Sequence, residues 1–232
     1  MQVLARVPPH LTASTQLQDT GRMSEPTIIA ILGAECTGKS SLAQDLGAAL
    51  AASGHDVAVV PEYLRVFCDT HGRTPRVDEQ RAIARAQTAR ILAAAARHAL
   101  VLADTTALVT AVYSDLVFGD ASLYDESVLA HLACRVNLLT ATDIPWVADG
   151  IQRDGPHARE RVDGRLRSVL LERGLPFSVL VGDQATRVHS ALRAVLRCTG
   201  PAPTTPDEPR WRWVCGHCGD AACEAAAPEP PR

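Results

Sequence analysis

The stretch GAECTGKS, residues 33–40, has the residue types and spacing to hold phosphate. It fits G-x-x-x-x-G-K-[ST] with Gly33, Gly38, Lys39 and Ser40 at the fixed positions. Glycine at both ends lets successive backbone N–H groups turn inward onto phosphate oxygens. A helix starting there adds the partial positive charge of its N-terminus. Lys39 would reach the β- and γ-phosphates as a compact point charge, and Ser40 offers a hydroxyl to Mg²⁺. Gly33, Ala34, Glu35, Cys36, Thr37, Gly38, Lys39, Ser40 and Ser41 are therefore the expected ATP-binding segment. Lys39 is also the single lysine of the chain, the other 22 of its 23 Lys and Arg residues being arginine.

Further chemistry-bearing residues follow later apolar runs. VVPEYLR supplies Glu62, Tyr63 and Arg65; VLADTT supplies Asp104, Thr105 and Thr106; TDIPWVADGIQRDG supplies Asp143, Trp146, Asp149 and Arg153. Asp104 closes an aliphatic run, the position of a carboxylate that holds Mg²⁺ directly or through water; the lesser alternative is a cap on the next helix. Glu62 fits a base for an acceptor hydroxyl, and also a surface carboxylate paired with Arg65. Arg153, Arg159, Arg161 and Arg165 fall where a lid over a transferring phosphoryl group belongs, with Arg153 the preferred phosphate contact.

These positions imply elements to carry them. TIIAILG (27–33), DVAVVPEY (56–63), ALVLADTT (99–106), RVNLLTATD (135–143) and FSVLVGD (177–183) read as buried strands. Helices are expected over 38–53, 78–98 with Asp78 as cap, 122–134, 157–173 and 184–197. Alternation of five strands with helices implies an α/β three-layer sandwich around a parallel sheet. Ligands in such sheets sit beyond the carboxyl ends of the strands, where the charges above lie.

Composition narrows the function classes. At 232 residues and 47% hydrophobic, the chain can bury one sizeable domain. The net charge of −3, with arginines interspersed among acids, argues against a nucleic-acid surface. No run approaches the roughly 18 apolar residues of a membrane span, and residues 1–25 read as a flexible leader, with Met23 a second candidate start, not a signal peptide. Seven cysteines, an odd number, fit a reduced, cytoplasmic protein. Residues 26–198 form the expected kinase-like domain, 199–210 a Pro-rich linker and 211–232 a cysteine-containing tail. In that tail Cys215, His217, Cys218 and Cys223, with Cys198 as a further candidate, are compatible with Zn²⁺, with a redox pair, or with incidental cysteines. A guanine-reading N-K-x-D motif would need a second lysine, so a Ras-type GTPase is excluded and ATP is the expected nucleotide.

The set GAECTGKS, PEYLR, Gln87 in a long helical stretch, ADTTALVT and DIPWVADGIQRDGPHARER resembles the NadR-type ribosylnicotinamide kinases, within the wider group of P-loop kinase-like ATPases. The resemblance spans residues 27–196. It implies a P-loop kinase fold with strand order 2-3-1-4-5 and a lid segment. It also implies ATP-dependent phosphorylation of the 5′-hydroxyl of nicotinamide riboside, with Glu62, Tyr63, Arg65, Asp104, Trp146 and Asp149 on the acceptor side. Read with the residues above, Lys39, Mg²⁺ and Arg153 are the expected groups on the transferring phosphoryl, and either Asp104 or Glu62 orients the acceptor hydroxyl as the remaining catalytic residue. Trp146 could stack on a pyridinium ring. The alternatives are a deoxynucleoside or other nucleoside kinase, or a non-catalytic ATP-binding switch. Oligomeric state is not encoded in any motif.

Overall fold

The computed structural model describes residues 25–146 and 156–199. Asp149, Arg153, Cys215, His217, Cys218 and Cys223 lie outside the described residues, so the zinc expectation falls outside them too. The contacts divide the chain after Cys198, and the fold below is that of the unit before it.

The elements run β1 (Thr27–Leu32), α1 (Lys39–Ala52), β2 (Val57–Val60), α2 (Tyr63–His71), α3 (Gln80–Ala95), β3 (Leu100–Asp104), α4 (Ala107–Phe118), α5 (Tyr124–His131), β4 (Cys134–Thr140), α6 (Pro156–Glu172), β5 (Ser178–Leu180) and α7 (Gln184–Thr199). The strands form one parallel sheet in the order β2-β3-β1-β4-β5, as expected. Because side chains alternate along a strand, β1 splits its residues between two cores. Ile29 and Ile31 pack with Leu42, Leu46 and Leu50 of α1 and Ala191 and Val195 of α7. Ala30 and Leu32 face the opposite way, onto Leu108 and Val112 of α4 and Leu166 and Leu170 of α6. Ile28 lies with Ile91 and Ala94 of α3. With helices over both faces, β1 and β3 are buried along their whole length, which is why they read as unbroken aliphatic runs.

Two helices depart from the sequence expectation. Residues 107–118 (ALVTAVYSDLVF) form α4, although this apolar segment follows β3 with only two threonines between. Six of its twelve residues are buried, so it shows little of the polar face that reveals a surface helix. α2 likewise starts at Tyr63, immediately after the charges that end β2. At the start of α3 the capping group is not Asp78. A 3₁₀ turn spans Val77–Glu79, where the Glu79 carboxylate accepts the Arg76 N–H at 2.8 Å and a two-pronged contact from Arg73. Among the described residues no helix is long and apolar enough to cross a membrane.

Candidate active site

The phosphate loop joins β1 to α1 at the carboxyl end of the sheet. Gly33 has φ +148° and Gly38, the N-cap of α1, has φ +78°, both in backbone regions that favour glycine. A Cβ at Gly33 would also come within 2.9 Å of the Thr37 hydroxyl and collide with that of Thr140. The Thr37 hydroxyl donates to the Ala34 carbonyl (2.8 Å) and lies 2.7 Å from that of Thr140, which is 3.1 Å from the Leu32 carbonyl. From α7, the guanidinium of Arg187 donates to the Thr37 carbonyl (2.6 Å), to the Ala141 carbonyl (3.1 Å) and to the Asp143 carboxylate. Arg187 is 1% exposed. The loop is thus held from behind by strand β4 and helix α7. The first turn of α1, with Lys39, Ser40 and Ser41, carries no acidic side chain. Its amides therefore remain suited to an anion.

Lys39 donates to the Ala34 carbonyl at 2.6 Å. Burial pulls its pKa below the ordinary lysine value, opposed by the charges of Glu62, Asp104 and Glu35. Three carboxylates from three segments therefore surround one ammonium. Glu62 sits at the junction of β2 and α2, where its Oε2 accepts from Arg65 Nε at 3.3 Å. Burial pushes its carboxyl above the usual glutamate range, partly offset by Lys39.

Asp104 ends β3 at 4% exposure, and its Oδ1 has no hydrogen-bond partner among the described residues. The next residue, Thr105, has φ +67°, a conformation rare for a β-branched residue. It breaks the strand and turns the chain into α4. Gln87 of α3 secures this turn: its Nε2 donates to the Thr105 carbonyl (3.2 Å), while its Oε1 accepts the Tyr63 N–H (2.7 Å). One buried amide thereby ties the end of β3 to the start of α2. Behind it, the Thr106 hydroxyl lies 3.0 Å from Nδ1 of His131, whose pKa burial lowers to about 4.

A cavity of about 300 Å³ opens beside Lys39. Glu35, Glu62 and Arg65 give its wall charge, and Leu64, Val109, Val117 and Phe118 give it apolar surface. Tyr113 of α4 also lines it, donating its hydroxyl to Glu35 Oε2. The structure brings Lys39, Glu62 and Arg65 together on this cavity, with Asp104 close enough for its charge to act on Lys39. It directs other sequence candidates elsewhere. The Tyr63 ring lies under Arg90, 5.7 Å from its guanidinium carbon, and packs with Phe67, Cys68 and Ile83. Trp146 is half-buried and does not line the cavity. Arg159 is 5% exposed and caps the carbonyls of Thr142 and Ile144, and Arg165 lies over the Tyr124 ring at 4.9 Å beside Asp115. Tyr113 and Arg187 are absent from the sequence candidates. Tyr113 sits in the helix that the sequence disguises, and Arg187 reads as an ordinary surface arginine until α7 is packed.

A family model described as an AAA domain matches residues 28–187. The chain belongs to that family. The AAA-domain match takes in both the phosphate loop and Arg187. No curated protein matches the chain. Among solved structures, a NadR protein in complex with NAD and AMP-PNP is similar at TM-score 0.61 and 21% identity, covering 79% of this chain and 52% of that one. A NadR protein in complex with NR gives the same score and identity over 81% and 55%. The chain thus spans about half the length of these NadR structures. Thymidylate kinase from Ehrlichia chaffeensis is similar at TM-score 0.54 and 14% identity, covering 73% of this chain and 98% of its own. The NadR-type kinase fold expected from the motifs is the fold of this AAA-domain protein.

Proposed function

We propose that the protein is an ATP-dependent small-molecule kinase, with nicotinamide riboside as acceptor and its 5′-hydroxyl as the site of phosphorylation. The observation that carries this reading is the cavity beside Lys39, large enough for an organic acceptor and bearing Glu62 on its wall. A second carboxylate, Glu35, gives that wall the charge to suit a cationic ring. The motif resemblance and the NadR structure complexed with NR support the same acceptor.

In this reading residues 26–198 are the catalytic unit and residues 33–41 bind the ATP phosphates through loop amides and the start of α1. Lys39 exchanges its contact with the Ala34 carbonyl for phosphate oxygens. Glu62 takes the proton of the acceptor hydroxyl, whose oxygen forms a bond to the γ-phosphorus as the bond to ADP breaks in line. Burial raises its pKa, which makes it a stronger base than an ordinary glutamate.

The unpartnered Oδ1 of Asp104 and the hydroxyl of Ser40 fit Mg²⁺. No cluster of three or more His, Cys, Asp or Glu side chains suited to a metal exists among the described residues, so phosphate and water would complete its shell. Bound there, Mg²⁺ supplies charge neutralisation for the β- and γ-phosphates. The Tyr63 N–H, held by Gln87, helps fix the segment that carries Glu62, and Asp149 and Arg153 are proposed on sequence grounds as acceptor and phosphate contacts.

The test is ATP-dependent product formation across a panel of ribosides, with Lys39→Ala as control. Product from another nucleoside but not from nicotinamide riboside would reassign the acceptor, a second reading favoured by the fold similarity to deoxyadenosine kinase from M. mycoides (TM-score 0.51, 13% identity). Acceptor-independent phosphate release alone would favour a nucleotide switch.

A further inference from the structure

Glu35 belongs to the phosphate loop by sequence, but its side chain is tied to helix α4. It lines the cavity beside Lys39 and meets the hydroxyl of Tyr113, 78 residues further along the chain. The residue is 9% exposed. One carboxylate oxygen, Oε2, is engaged by Tyr113, which fixes the side chain's direction. The other, Oε1, is buried and has no hydrogen-bond partner among the described residues. Leaving a buried carboxylate oxygen without a donor is costly, so the arrangement is incomplete until something in the cavity supplies one.

What Oε1 lacks is an O–H or N–H. On nicotinamide riboside the pyridinium nitrogen carries no such group; the donors are the carboxamide N–H₂ and the two secondary hydroxyls of the sugar, and deoxy analogues tell the two apart. Glu62, from the β2–α2 junction, lines the same cavity and in the proposed reaction serves the hydroxyl that reacts. We propose that Glu35, held by Tyr113, is a specificity-determining residue that accepts a hydrogen bond from a secondary hydroxyl of the acceptor's sugar, so that the site selects ribosides over deoxyribosides. This rests on the kinase reading for the identity of the cavity's occupant. It gives the loop two jobs: backbone toward ATP, one side chain toward the acceptor.

The experiment measures both equilibrium binding, by calorimetry, and kcat/KM for a riboside and its 2′-deoxy and 3′-deoxy analogues. It uses the full chain and the variants Glu35→Gln and Tyr113→Phe. In the wild type, at least one deoxy analogue should be weaker than the riboside by roughly 10- to 100-fold, the scale of one hydrogen bond to a charged group. Glu35→Gln should shrink that ratio, its neutral amide oxygen being a weaker acceptor than the carboxylate, by weakening the riboside more than the deoxy analogue. Tyr113→Phe removes one hydroxyl and tests the same ratio should Glu35→Gln not fold; it should reduce the ratio in the same direction by a smaller factor. Equal losses for riboside and deoxy analogue, or a wild type that takes both equally, would overturn the assignment while leaving the kinase reading intact. Riboside binding with the expected ratio but no phosphorylated product would sustain the assignment and sink the kinase reading. Failure of any riboside to bind would overturn both.

Discussion

Arg187 donates to the main-chain carbonyl of Thr37 at 2.6 Å, joining the last described helix to the middle of the phosphate loop across 150 residues of sequence. The same guanidinium reaches the Ala141 carbonyl and the Asp143 carboxylate, so the loop, the end of β4 and α7 share one buried cation. Asp143 is itself held ionised, its carboxyl lowered first by the Gly182 N–H and then by Arg187.

Replacing Arg187 with Met should leave two buried carbonyls without their donor. Each costs about 1–3 kcal/mol, so a loss of roughly 2–6 kcal/mol in urea unfolding is expected. The loop's amides should also lose their alignment, raising KM for ATP more than it lowers kcat. An Arg187→Lys variant should recover little, because one ammonium cannot span three acceptors in a fixed fork.

His131 provides a pH-dependent test of the fold. Its folded pKa, lowered by burial to about 4, lies below the ordinary value of 6.5. The unfolded chain therefore binds this proton first as pH falls. Stability should be complete above about pH 6.5 and decline between there and pH 4, by about 3 kcal/mol from this group. His131→Leu should flatten that part of the stability profile, as read by urea titrations at several pH values, even though it leaves the Thr106 hydroxyl unpaired.

Glu62 makes a prediction about rate. Burial raises its carboxyl above the ordinary 4.5, so the acidic limb of kcat/KM should lie above that value, with activity rising with pH through it. Glu62→Gln should remove the limb and lower kcat by roughly 10²- to 10⁴-fold, the usual contribution of a positioned base. An unchanged limb in this variant would assign the proton to another group.

The residues most legible in the sequence are those whose chemistry depends on local spacing. Gly33, Gly38, Lys39 and Ser40 lie within eight positions, and the buried strands beside them show as aliphatic runs. Five such runs imply the parallel sheet, and the motif set implies its strand order. Asp104 and Glu62 are legible at strand ends because charges after an aliphatic run mark the carboxyl edge of such a sheet. What stays hidden depends on long-range packing. α4 is buried on too many sides to show a helical period, and Tyr113 is hidden with it. Arg187 is indistinguishable in sequence from 21 other arginines, since only α7 packing on β4 gives it its three acceptors. The turn at Thr105 carries no glycine to advertise its positive φ; Gln87, far away in sequence, holds it.

Transfer of a phosphoryl group from ATP to nicotinamide riboside, by the Lys39 loop and the adjoining cavity, underlies the proposed function. Its most direct measurement is the formation of nicotinamide mononucleotide from ATP and nicotinamide riboside by the full chain and by Lys39→Ala. The expected result is product at a saturable rate in the wild type and a loss on the order of 10³-fold or more in the variant, since Lys39 carries much of the charge stabilisation of the transferring group. No product in the wild type, or product undiminished by Lys39→Ala, would contradict it.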